Sequence, residues 1–238
     1  MKKSAKPKIK FQISARSDIE NAKWFIKNGE FVDLFLPKEI LFINDKKFSL
    51  KEKHLIISKY AKNFYQANAQ AIARGVEQTK QRWGKIENKF FNLVNKIFGN
   101  HPWPKGKYIG YASIFNMFPR DIKDKIFYFP YSRKKFDPLS TVGHEMLHFI
   151  FYDFIEKNYG IKERDKFKGK SPKYLWQVAE TFNTVIENWQ PYKAIFKAKN
   201  NIKPYAGCEK LYQAMAKEWK KNECIDGLIK KFLGKKHK

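Results

Sequence analysis

The chain has 238 residues, 43% of them hydrophobic and 17% aromatic, which supplies one large core or two modest ones and excludes disorder throughout. Lys and Arg number 49 against 23 Asp and Glu, a formal charge of +26. Such a charge attracts nucleic acid or anionic lipid by counterion release, but the lysines are interleaved with Asn, Ile and Phe along the whole chain, which favours lysine-filled solvated faces over a nucleic-acid site.

The start, Met1 to Lys10, is basic like a signal-peptide n-region, yet no apolar h-region follows it, and no uninterrupted apolar stretch is long enough to span a bilayer. The default compartment is the cytoplasm. The basic ends, Lys2 to Lys10 and Lys235 to Lys238, are expected to fray. Short runs of β character, Ile9 to Ile13 and Phe31 to Phe35, predict two strands. Ser49 and Glu52 then form a capping-box signature, and apolar positions from Ile56 to Ile97 follow at mostly helical spacing until Gly99. Gly75 and Gly84 weaken that stretch, so one long helix and two in series are both open. Residues 1–100 thus read as N-terminal strands and a long helical scaffold, and residues 101–238 as a second domain.

Lys107 to Phe115 and Ile126 to Tyr131 return to strand character around a polar turn at Asp121 to Lys125, and Pro130 suits a sheet edge because it lacks an amide donor. Asp137-Pro138 offers an N-cap followed by proline at the first helical position, and Gly160 a stop, which predicts a helix from Pro138 to Tyr159. Ser171-Pro172 repeats the device, with Pro191 closing a helix over Tyr174 to Gln190. A third helical stretch runs from Gly207 to Leu233 and contains both cysteines, Cys208 and Cys224, whose spacing suggests neither a disulfide framework nor a zinc knuckle. They read as reduced core thiols. Strands precede helices instead of alternating with them, so the fold class is α+β.

The first framed helix carries His144-Glu145-Met146-Leu147-His148. Residues four apart share a helix face, so both imidazoles can reach one ion while Glu145 flanks it. A catalytic zinc needs three protein ligands and an open position for a water whose pKa falls to about 7. Glu145 stands where a general base for that water is needed, and the reaction class is metal-assisted hydrolysis. Two core histidines satisfied by carbonyls are the plain alternative. However, Thr141-Val142-Gly143 and Phe149-Ile150-Phe151 make the helix apolar nearly all round, and burying these ionisable groups without a partner is costly.

The third ligand must come from elsewhere, because His54, His101 and His237 stand in unhelpful places. The second framed helix offers Glu180, in its most apolar part, and Glu187, near its end beside Asn188. Glu180 is preferred, since Glu187 also fits a solvated face.

His144-Glu145-Met146-Leu147-His148 followed on a later helix by Ala179-Glu180-Thr181-Phe182-Asn183 resembles the gluzincin branch of the zincin metallopeptidases, over about residues 105–190. That resemblance implies a zincin-like fold: a small, mostly antiparallel sheet with an edge strand over a buried active-site helix, then a glutamate helix and C-terminal helices. It implies His144, His148 and Glu180 as zinc ligands, Glu145 as the base, and a peptide or protein substrate. Gluzincins often place an Asp one turn after the ligand Glu to orient a zinc-bound His. Here that position is Thr184, so the orienting group is unassigned. The charged stretch Lys162 to Lys170 also widens the gap between His148 and Glu180.

By the same analogy, Ile126 to Tyr131 is the candidate edge strand for pairing with extended substrate. An oxyanion donor would come from Tyr174, Tyr192, Tyr205 or His101, and the sequence does not choose among them. Two other functions compete. Sprt-like proteases, which digest DNA-bound protein, share a His-Glu-Met-x-His helix and a basic surface but take a third His that this chain lacks within reach. A non-catalytic basic module is the other, and the intact Glu145 argues against it.

Overall fold

The structure, a computed structural model, describes residues 6–29 and 36–234. It is α+β, with a four-stranded mixed sheet among the described residues. The elements are β1 (Ile9–Ile13), α1 (Ala15–Asn28), a 3-10 helix (Lys38–Asn44), α2 (Leu50–Ala67), α3 (Ala69–Ile97), β2 (Tyr108–Ser113), β3 (Arg120–Asp121), β4 (Ile126–Pro130), α4 (Pro138–Tyr159), α5 (Tyr174–Glu187), α6 (Gln190–Phe196), α7 (Glu209–Asn222) and α8 (Ile225–Phe232). The expected strand at Phe31 to Phe35 lies outside the described residues, as do residues 1–5 and 235–238 of the two basic ends, whereas Ile9 and Lys10, expected to fray, open β1 and pair with β2. Among the described residues, no helix is long and apolar enough to cross a membrane.

The chain divides into two compact units. One contains Lys8–Trp83 and Gly106–Val142; the other contains Gly84–Lys105 and the chain from Gly143 onward. In the first, β1 and β2 pair in parallel, as do β2 and β4, and only the two-residue β3 runs antiparallel to β4, in the order β1-β2-β4-β3. The expectation of a mostly antiparallel sheet is therefore corrected. The turn after Asp121 joins β3 to β4, not β2 to β4, because residues 114–119 first carry the chain back. β4 is also not a free edge. β3 pairs with Ile126 and Phe127, and the Tyr128 amide donates to the Pro119 carbonyl at 3.1 Å, so its first half has no donors to offer a substrate.

Ser49 caps α2 through the reciprocal bonds the sequence announces, its side chain accepting from the Glu52 amide while the Glu52 carboxylate accepts from the Ser49 amide. The helical stretch is two helices in series, and the break falls at Asn68, not at either interior glycine. A core of Ile19, Ala22, Ile40, Ile43, Ile57 and Ala61 packs α1, the 3-10 helix and α2 together. Inside this unit the fully buried Asp18 carboxylate accepts from the Ser113 hydroxyl (2.5 Å), the Ile114 amide (2.9 Å) and the Tyr65 hydroxyl (3.0 Å), tying α1 and α2 to the end of β2.

The second unit is built on aromatic packing. Phe98 meets Phe154 and Phe182 edge-on at 5.4 and 5.7 Å, and Phe151 lies 5.1 Å from Phe182. α4 has its expected bounds and ends at Gly160, which adopts the left-handed conformation (φ 67°). Pro191 does not close the glutamate helix. α5 ends at Glu187, and Pro191 sits in the first turn of α6, where its missing donor costs nothing. Ser171-Pro172 supplies no cap either, for Lys173 precedes α5 without a side-chain capping bond. The last helical stretch is split into α7 and α8 at Glu223, which adopts a left-handed conformation (φ 47°). Cys208 is buried as expected, whereas Cys224 is exposed; both are free thiols.

Candidate metal centre

α4 is buried along the motif because its flanking residues are apolar on every side. Met146, Leu147, Phe149 and Ile150 are all fully buried, which fixes the helix and leaves its polar residues one direction to face. Gly143, just before the first motif histidine, permits a close approach. A Cβ there would lie 2.5 Å from both the Tyr192 hydroxyl and the Phe196 ring, and these two rings stack on each other at 4.4 Å.

α5 presents Glu180, Asn183 and Glu187 to that helix, at spacings of three and four that define one helical face. Glu180 Oε2 lies 3.1 Å from His144 Nε2, Glu180 Oε1 lies 3.3 Å from His148 Nε2, and the two Nε2 atoms are 3.1 Å apart. His144, His148 and Glu180 thus offer three ligand atoms within 4.8 Å of one another, a group able to hold a metal ion. His148 and Glu180 are buried, while the His144 side chain keeps 20% of its surface exposed.

The two candidate glutamates both meet the motif, in different ways. Glu180 faces the pair of Nε2 atoms, and Glu187 Oε1 lies 3.0 Å from His144 Nδ1, on the far side of the same ring. Sequence reasoning did not assign that second role. Its signal was present: Glu187 is seven residues, two turns, beyond Glu180 and so returns to its face. Asn183, on the intervening turn, donates from Nδ2 to the His144 carbonyl at 3.0 Å. Thr184, at the position where an orienting Asp was looked for, spends its hydroxyl on the Glu180 carbonyl of its own helix (2.9 Å).

The electrostatics follow from this arrangement. Burial works against a charged imidazole at His144, but the Glu187 and Glu180 carboxylates outweigh it and hold the ring well above its ordinary range. Burial likewise opposes charge on Glu180, and His148 and His144 outweigh it, keeping that carboxyl well below the usual range. Glu145, the candidate base, is itself buried.

Of the four candidate oxyanion donors, two are committed elsewhere. The Tyr174 hydroxyl donates to the Phe232 carbonyl (2.8 Å), and His101 Nε2 bonds Asp153 (2.7 Å), five residues beyond His148 and so on a different face of α4. Tyr192 is buried against Gly143, its phenol held well above the ordinary range by burial and by the nearby Glu187 charge. Tyr205 is exposed and packs on Trp176 with ring centroids 5.2 Å apart. No protein-family model, curated protein or solved structure matches the chain.

Proposed function

We propose that the chain is a zinc-dependent peptidase whose ligands are His144, His148 and Glu180 and whose general base is Glu145. The observation that carries this reading is the mutual spacing of the three ligand atoms, 3.1, 3.1 and 3.3 Å. Tetrahedral coordination with bonds of roughly 2.0–2.1 Å sets neighbouring ligand atoms about 3.3 Å apart, so the donor set fits zinc in size as well as in type. Three protein ligands leave one position open, the arrangement of catalytic rather than structural zinc.

When bound, zinc supplies a Lewis acid that polarises a carbonyl and makes water acidic. The chain's residues do the rest. His144 and His148 would hold it through Nε2, which would require both rings to be neutral there, and Glu187 would then accept the remaining Nδ1 proton of His144 and so fix its tautomer. Asn183 holds the backbone of the same residue. The Glu145 carboxylate takes a proton from the attacking water and returns it to the leaving amine nitrogen.

Glu145→Gln tests the assignment. Zinc content should stay at the wild-type level while hydrolysis of unfolded protein or a peptide library falls by at least about a hundredfold, the scale of general-base catalysis. A variant that cleaves at the wild-type rate would remove Glu145 from the mechanism.

A further inference from the structure

Trp176 stands four residues before Glu180, so Trp176, Glu180, Asn183 and Glu187 form one stripe along α5, and the last three all reach the motif histidines. With a rise of 1.5 Å per residue, Trp176 lies about 6 Å along the helix from the ligand carboxylate. Side chains on one side of an extended peptide recur at about 6.8 Å, so a peptide held at the metal centre brings a neighbouring side chain to this depth. Trp176 is half-buried, and its partner ring, Tyr205, is 47% exposed, so the pair offers aromatic surface to water.

The pair is held in place. Asn188, just past the end of α5, donates from Nδ2 to the Ile202 carbonyl (2.8 Å) and accepts from the Ile202 amide (2.7 Å), which pins the segment carrying Tyr205. The segments leading to each ring are uniformly basic. Lys166, Lys168, Lys170 and Lys173 precede Trp176, Lys197, Lys199 and Lys203 precede Tyr205, all are exposed, and neither 166–173 nor 197–203 contains a carboxylate.

We infer that Trp176 and Tyr205 form a specificity subsite that takes an aromatic side chain of an acidic peptide, the ring stacking on the pair while flanking carboxylates meet the lysines. The inference rests on the peptidase reading and names its substrate class. An aromatic pair among lysines also suits a nucleobase, but adjacency to a hydrolytic centre for amides favours peptide.

The test uses the full chain as the zinc-loaded Glu145→Gln variant, so that a substrate binds without turnover. Fluorescence anisotropy compares a short labelled peptide with one Phe among Asp and Ser against the same peptide with Ala in place of Phe. The Phe peptide should bind about tenfold more tightly. Trp176→Ala and the exposed Tyr205→Ala should each erase that preference at unchanged zinc content, and Trp176→Phe, which keeps a ring and guards against misfolding, should retain most of it. Persistence of the preference in both alanine variants, or failure of the Phe peptide to bind, would overturn the subsite. So would displacement of the peptide by oligothymidylate that itself depends on Trp176 and Tyr205, which would assign the surface to nucleic acid. Cleavage of the Phe peptide by the wild-type chain is measured separately: binding with the stated preference but without cleavage would count against the peptidase reading and leave the subsite standing.

Discussion

His144 is gripped on three sides: Glu180 at Nε2, Glu187 at Nδ1 and Asn183 at its carbonyl. A ring fixed at one nitrogen presents the other in a defined direction, and outer carboxylates of this kind typically contribute 10- to 100-fold to metal affinity. Glu187→Ala should therefore weaken zinc binding by about one to two orders of magnitude, read by competition with a chromogenic chelator. Unchanged affinity would reduce Glu187 to a packing role. Asp18, in the other unit, makes an electrostatic prediction of its own. Burial, only partly offset by bonds from Ser113, Ile114 and Tyr65, pushes its carboxyl from 3.8 up to about 7. The folded chain then binds a proton that the unfolded chain has released, so its contribution to stability is fully present below pH 3.8 and is lost as pH rises to about 7. Asp18→Asn, which cannot titrate, should flatten that slope in denaturant melts. An identical pH profile for the two proteins would contradict the buried-carboxylate picture.

At the scale of elements, the most legible features were those with local causes. The Ser49–Glu52 box, the Asp137-Pro138 start and the Gly160 stop each act within a turn: α2 begins where its box puts it, and α4 has both of its expected ends. Sheet topology was not legible, because parallel pairing of β1 with β2 joins residues about a hundred positions apart and leaves no trace in local periodicity. The misreading of Pro191 has the same origin: proline at a helix start and proline after a helix end look alike until the neighbouring turns are known. At the candidate site, both histidines and both glutamates were visible, but the division of labour between Glu180 and Glu187 depends on how α4 and α5 face each other. The close approach of α6 to α4 gives a further test. Gly143→Ala would drive a methyl group into Tyr192 and Phe196, and overpacking of this kind costs about 1–3 kcal/mol. The variant should melt earlier than wild type, and zinc should recover part of the loss by binding the native form. A melting temperature equal to wild type would show that α6 gives way freely.

For the whole molecule, the net charge of +26 and the proposed metal centre make separable claims. Charge alone gives polyanion binding whose affinity falls steeply with salt and is indifferent to the triad. The candidate metal-binding group sits wholly in the unit that contains Gly143 and the residues after it, so chelation of zinc from the loaded chain should destabilise that unit and leave the sheet-bearing unit, with its Asp18 network, protected in hydrogen exchange. Uniform loss of protection across both units would contradict that separation. Metal stoichiometry is the most direct measurement. After zinc loading and removal of excess, native mass spectrometry should find about one zinc ion per wild-type chain and none in His148→Ala or Glu180→Gln. A wild-type chain that retains no metal, or triad variants that retain as much as wild type, would contradict the assignment of His144, His148 and Glu180 as ligands.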